Sequence, residues 1–266
     1  MATTVRQTDS NQIVRAESDD LNGEQKNDGG SDISGDDDGD DESDSLAQKL
    51  ARKLVFLAIS APFAIPRIAL KDDWDHNTNF PDYPYADGAP GSLIRDSETP
   101  GRKQNWMGTL QANTVQDGDG IARYGGRLLL DSESRFGLDT ETNYWTQSRT
   151  LGNQEQLWTG DLNIVYRYAE SEHFQWRAGV GMNWLADRGY NREGFNFTYG
   201  VEWFPAKPWT VSSVFDIGTL GSGTLVHNRT TVGVMMGPVE AFAGYDYFAV
   251  DKAHFQGPVA GVGYRF

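Results

Sequence analysis

From residue 105 to the end of the chain, apolar and polar positions alternate with a period of two, broken by short Gly, Asp or Pro clusters. In 194–204, Phe195, Phe197, Tyr199, Val201 and Trp203 share one face, opposite Asn196, Thr198, Gly200 and Glu202. In 158–168, Trp158, Leu162, Ile164, Tyr166 and Tyr168 oppose Asp161, Asn163 and Arg167. In 173–186, Phe174, Trp176, Ala178, Val180, Met182 and Trp184 oppose Gln175, Arg177 and Asn183. The pattern predicts ten strands, near 105–116, 121–132, 134–147, 155–169, 173–186, 194–204, 209–220, 225–236, 239–250 and 254–266. They are about twice as long as the strands of ordinary globular domains. Two features resist the pattern. Leu128, Leu129 and Leu130 leave the second strand without a clean face, and the Gly-rich eighth and tenth strands read either way.

Upstream the pattern changes. Residues 71–104 carry Pro81, Pro84, Pro90 and Pro100 and read as a turn-rich connecting segment, free to link or to pack into the end of the strand region. Residues 46–70 are a signal-like or amphipathic apolar segment: Lys49, Arg52 and Lys53, then an uncharged run from Leu54 to Pro66. That run is too short to span a bilayer, and Pro62 and Pro66 are expected to break a helix. Basic residues before a short apolar run fit a secretory signal, with Ala58 and Ser60 as a weak cleavage site. On that reading the true start lies downstream of residue 1. The alternative is an amphipathic helix of the mature protein.

Charge sharpens the division. Residues 1–45 hold 14 acidic and three basic residues and no aromatic one, so their net charge is −11 of the chain's −15. Such a segment cannot bury enough apolar surface to offset its ordering entropy and is expected to be a disordered acidic tail. Its Asp36–Glu42 run fails as a calcium loop, because Ser34 and Ser45 fall where acidic ligands are needed. Without a basic footprint, nucleic acid is excluded as an expected partner. With no cysteine, disulfides, zinc–thiolate sites, iron–sulfur clusters and thiol catalysis are excluded. A mean hydropathy of −0.57 argues against a helical membrane bundle but not against a membrane β-barrel, where lipid-facing and lumen-facing residues alternate.

The polar face separates the architectures. A soluble sandwich shows Lys on its solvent face, yet 105–266 contains only Lys207 and Lys252, both in predicted turns. The strand interiors carry Arg123, Arg127, Arg135, Arg167, Arg177, Arg229 and Arg265 against Asp139, Glu141, Asp161, Glu202, Asp216, Glu240 and Asp246. Arg suits bidentate pairing with carboxylates inside a protein. The remainder of that face is small, with Gly125, Gly160, Gly179, Gly181, Gly200, Gly218 and Gly244. A narrow lumen crossed by ion pairs explains this balance. On the apolar face, Trp158 with Tyr168 and Phe174 with Trp184 place aromatics near both strand ends, as two interface girdles would.

The chain ends Val262-Gly263-Tyr264-Arg265-Phe266. Phe266, Tyr264 and Val262 at alternate positions, behind ten alternating segments, resemble the terminal strand of bacterial outer-membrane β-barrel proteins. The resemblance covers 105–266 and is one of architecture. It implies an all-β, antiparallel up-and-down transmembrane barrel of about ten strands in the bacterial cell outer membrane, with the lipid bilayer as partner. It also implies that the barrel-assembly machinery reads the last strand. The first strand's start and the last strand's end then both face the periplasm, with turns near 133, 171, 206 and 237. The outer loops fall near 118, 151, 190, 222 and 252, longest at 148–154 and 187–193.

Catalytic signatures are sparse. His227 and His254 are expected at the outer rim, where Ser148, Asp187 and Asp216 are available as partners, but no G-x-S-x-G, H-E-x-x-H or paired metal-spaced His occurs. His76 lies outside the strands. Asp117-Gly118-Asp119-Gly120 fits a hairpin turn better than a calcium site. The expected role is therefore non-enzymatic, structural, adhesive or a small pore, with no cofactor or metal. Two alternatives stay open: an outer-membrane lipid hydrolase, acyltransferase or protease with a rim site, and a soluble secreted β-sandwich or β-barrel binding protein.

Overall fold

A computed structural model describes residues 52–53, 60–72, 78–94, 103–117, 120–147, 155–187 and 189–266. The acidic tail, His76 and Ser148 lie outside the described residues. Ten strands succeed one another: β1 (Trp106–Gln116), β2 (Ile121–Ser132), β3 (Phe136–Gln147), β4 (Glu155–Glu170), β5 (Phe174–Asp187), β6 (Tyr190–Trp203), β7 (Trp209–Leu220), β8 (Gly223–Met236), β9 (Val239–Val250) and β10 (Ala253–Arg265). Each pairs antiparallel with its neighbours in sequence, and β1 closes on β10 with Leu110 opposite Tyr264. The result is a closed up-and-down barrel, which leaves no exposed sheet edge.

The start of β1, the end of β10 and the connections at 133–135, 171–173, 204–208 and 237–238 share one end of the barrel, the terminal end. At the far end only two residues separate β5 from β6, β7 from β8 and β9 from β10. Gly189 and Gly221 adopt the positive φ such tight connections require. The long loop expected at 187–193 is therefore absent. β5 and β6 stay paired to Asp187↔Tyr190, and the Arg192 guanidinium lies 4.4 Å from the centroid of the Tyr190 ring. The polar tip that read as loop is strand.

Period-two alternation persists where the sequence was ambiguous. In β2, Leu128 and Leu130 point out and Leu129 points in, in step with inward Arg123, Gly125, Arg127 and Asp131. β8 and β10 alternate as regularly. The exception is β4, whose register shifts between Arg167 and Ala169. This bulge leaves Tyr168 unpaired and turns Glu170, which simple alternation would point outward, into the barrel. Gly160 belongs to the outer face: a Cβ there would lie 2.5 Å from the Trp184 ring that covers it.

Residues 60–70 are helical, through both prolines expected to break a helix. Pro66 has no N–H to give the Pro62 carbonyl four residues back. That carbonyl instead accepts the hydroxyls of Tyr168 (3.1 Å) and Tyr199 (2.8 Å), and Phe63 packs edge-on against both rings. The missing bond is thus made by the outer barrel wall. Tyr168, expected in an exposed girdle, is covered by this contact. The helix ends where Lys71 N bonds Ile68 O and Asp72 N bonds Arg67 O, with Lys71 in a left-handed conformation (φ 52). This is a Schellman-type stop made without glycine.

Residues 78–94 then close the terminal mouth. Phe80 and Leu93 pack on Met107 of β1, and Tyr85 packs with Phe204 and Met235. Gly91 passes so close to the β4–β5 turn that a Cβ would lie 1.9 Å from Glu172 O.

Candidate functional site

The lumen is the chemically distinctive part of the molecule. Its residues come from the odd positions of β1–β5, β8 and β10 and the even positions of β6, β7 and β9. Its charged side chains form two connected clusters and one separate pair, with Asp161 apart from all three.

In the far-end cluster, Asp246 Oδ2 accepts Arg123 Nη2 at 2.6 Å, Arg229 Nε at 2.9 Å and His227 Nε2 at 3.1 Å. Arg229 also grips Glu141 bidentately at 2.6 and 2.7 Å. His227 Nδ1 lies 3.2 Å from Asp216 Oδ2. Both ring nitrogens thus face carboxylates, which only accept when ionised, so the geometry fits a doubly protonated ring. With that charge the cluster's three cations balance Asp216, Asp246 and Glu141. The Arg123 guanidinium, fully buried, also lies 5.5 Å from the Trp145 ring.

The terminal-end cluster runs through several strands. Arg167 pairs with Glu170 (2.9 Å) and Asp131 (3.0 Å), and Arg177 bridges Asp131 (3.0 Å) to Glu202 (2.8 Å). Arg265 then joins Glu202 (2.8 Å) to Glu240 (3.2 Å), and Glu240 accepts the Thr210 hydroxyl. Arg127 and Asp139 form a separate bidentate pair at 2.8 and 2.5 Å. Asp161 accepts Asn163 Nδ2 at 2.9 Å and enters neither cluster.

Arg135 departs from the expectation of a strand-interior residue. It sits in the β2–β3 turn at φ 70. From there it holds Asp72 bidentately (2.7 and 2.9 Å) and reaches Glu170 at 3.3 Å. Burial disfavours its charge. The hydrogen bond to Asp72 and the charges of Glu170 and Asp72 outweigh that, and its pKa ends above the ordinary arginine value. Asp72 Oδ2 also accepts the backbone N–H of Glu170 at 2.9 Å. The closing segment is pinned by Thr78 to Glu170 (2.7 Å), by Ser92 to Gln175, and by Tyr85, whose hydroxyl donates to Trp209 O at 2.7 Å. Burial pushes the Tyr85 hydroxyl up to about 12, against the opposing pull of Arg265.

Above the charged layers the far end is apolar inside. Val115, Trp145, Phe242, Phe255 and Val259 form one buried cluster, and Leu185, Leu220, Leu225 and Val250 a second, joined through Leu157 and Phe248. The lumen is therefore filled in series by a chain segment, two ionic clusters and an apolar cap. A void beside Arg127, Asp139, Arg177 and Thr198 leaves about 10 Å³ for water, room for about one molecule.

His227 and His254 do not share a site. His227 is deep in the lumen, not at the rim, because the eighth strand begins at Gly223 and its odd positions point inward. His254 points outward from β10, and Asp187 is exposed at the end of β5. Among the described residues no group of three or more His, Asp or Glu is arranged to hold a metal.

Four members of the clusters were not among the lumen residues expected from sequence. Asp131 was legible, since it keeps the parity of Arg123 and Arg127. His227 was legible once its strand began two residues earlier. Glu170 was not, because the bulge reverses its side. Asp72 was not, because it arrives from another segment.

The outer face is the inverse. Trp106, Phe136, Trp203, Trp209, Tyr264 and Phe266 are exposed at the terminal end, and Tyr124, Trp158, Tyr190 and Tyr247 toward the far end. Between them lie exposed aliphatic residues such as Leu110, Leu162, Ile164, Val180 and Val262. No helix among the described residues is long and apolar enough to cross a membrane. No protein-family model and no curated protein matches the chain.

Proposed function

We propose that this chain is an integral outer-membrane β-barrel with a filled, non-conducting lumen and a structural, anchoring role. The observation that carries the reading is the inverted burial. Arg123, Arg167 and Arg265 are at most 2% exposed while Ile164 is 63% and Phe136 57% exposed. In water a continuous apolar band of this kind far exceeds the patches soluble monomers tolerate. In a bilayer it is the solvated face, with aromatic residues at both interfaces and aliphatic ones between. Strands of 11 to 16 residues are long enough to cross at a tilt.

The filled lumen favours anchoring over a pore. Three of the far-end connections are two residues long and offer little surface for adhesion. On this reading the terminal end faces the periplasm, and the outward row Val262, Tyr264 and Phe266 is what the barrel-assembly machinery would meet. Extraction and electrophoresis provide the test. The protein should fractionate with outer membranes, require detergent, and shift its mobility between unheated and boiled samples. A chain that stays monodisperse without detergent overturns the reading.

A further inference from the structure

Gly200 of β6 lies directly opposite Arg177 of β5 on one side and Val214 of β7 on the other, at an inward position of its strand. A Cβ there would meet only Ser213 O at 3.7 Å and Val214 Cγ2 at 3.8 Å, which are ordinary contact distances. Gly200 thus borders the void of about 10 Å³ that Arg127, Asp139, Arg177, Thr198 and Ser212 also line. The polar groups around this void are not satisfied by one another. Arg177 Nε is buried and has no acceptor among the described residues. The Thr198 and Ser212 hydroxyls likewise meet no partner among them, although Thr198 is only 4% exposed. Polar groups left unpaired away from water cost free energy. The charges beside them, by contrast, are already balanced. Asp139 holds Arg127 bidentately, and Arg177 sits between Asp131 and Glu202. An ion placed here would be one more buried charge without a counterpart, whereas a small neutral molecule would not.

We propose that this void is the binding site of a single water molecule, held by Arg177, Thr198 and Ser212, which ties the separate Arg127–Asp139 pair to the terminal-end cluster. Water fits both the space and the lining. It accepts from the Arg177 N–H, donates to or accepts from each hydroxyl, and carries a proton for the Asp139 carboxylate. The site is closed by the apolar cap toward the far end and by residues 78–94 toward the terminal end, so the water is a fixed part of the lumen and not a step along a channel. The proposal concerns the inside of the closed barrel and does not depend on what surrounds its outer wall.

The sign of one substitution separates a wet void from a dry one. In the full-length, detergent-solubilised protein, Gly200→Ala puts a methyl group into the void at ordinary contact distances. If it displaces a water, the Arg177 N–H and both hydroxyls lose their partner, and the urea midpoint should fall. In a dry void the same methyl fills a cavity and restricts the unfolded chain, so the midpoint would rise, and that result overturns the proposal. In a Thr198→Val, Ser212→Ala background the water has lost its hydroxyl partners, and adding Gly200→Ala should raise the midpoint. A fall of equal size in that background means that the hydroxyls do not hold the occupant, and the proposal fails. Crystals of the unsubstituted protein grown with bromide give a reading that needs no variant. A single peak within about 3.2 Å of the Thr198 and Ser212 hydroxyl oxygens, without anomalous signal, is expected. A void without density, or an anomalous bromide peak in it, overturns the assignment to water.

Discussion

At the scale of single residues, the lumen is governed by the cost of burying charge. An arginine with no water around it is tolerable only where carboxylates surround it, and removing one partner leaves the other uncompensated. Arg229 serves Glu141 and Asp246 at once, so Arg229→Met should cost roughly 3–5 kcal/mol. Adding Glu141→Leu to that variant should recover part of the loss. Both effects are read from the denaturant midpoint of the detergent-solubilised protein. A double variant less stable than the single one would contradict the pairing. Tyr85 belongs to the same scale and lies outside the strands, in the closing segment. Its pKa is raised to about 12 from 10, so the neutral form is the one folding favours. Stability from Tyr85 is complete below pH 10 and is lost as pH rises through about 12. The closing segment should become protease-sensitive across that window, and Tyr85→Phe should remove the step.

At the scale of elements, two joints hold the N-terminal segment to the barrel. The first is the Pro62 carbonyl, whose hydrogen-bonding need is met by Tyr168 and Tyr199. Replacing both tyrosines by Phe leaves that carbonyl without its donors and should weaken helix docking by about 1–3 kcal/mol. Adding Pro66→Ala restores an N–H at the right place in the helix and should recover part of the loss, measured by proteolysis near residue 60. The second joint is Asp72. Asp72→Asn deprives buried Arg135 of its bidentate partner and should cost about 3 kcal/mol, at the lower end for a broken buried pair because Glu170 remains near. Its signature is cleavage within 78–94 with the barrel intact. Neither joint is readable from local pattern. Prolines four residues apart argue against a helix until the wall that satisfies their carbonyl is seen, and Asp72 lies 63 residues from Arg135 in sequence.

At the scale of the whole molecule, closure in series makes a clear expectation for transport. In planar bilayers the protein should not conduct, and deleting 78–94 should leave it closed because the Trp145–Phe255 cap persists at the far end. Stepwise ion currents from the intact chain would overturn this. The barrel itself was legible from sequence: strand number, near-final boundaries, and the face that carries Arg and carboxylate all come from alternation, because a strand sends successive side chains to opposite sides whatever surrounds it. Alternation also identifies which residues are inward before any partner is known. It says nothing about which of them meet. Pairing depends on strand register, on the shear that brings Arg229 level with Glu141 across the lumen, and on the β4 bulge that turns Glu170 inward. Those are properties of a closed sheet, in which every register is constrained by all the others. The same holds for the N-terminal segment, whose composition left its place open between linker and packed end. Its seat is determined by contacts with residues far along the chain, and only the tertiary structure brings those within reach.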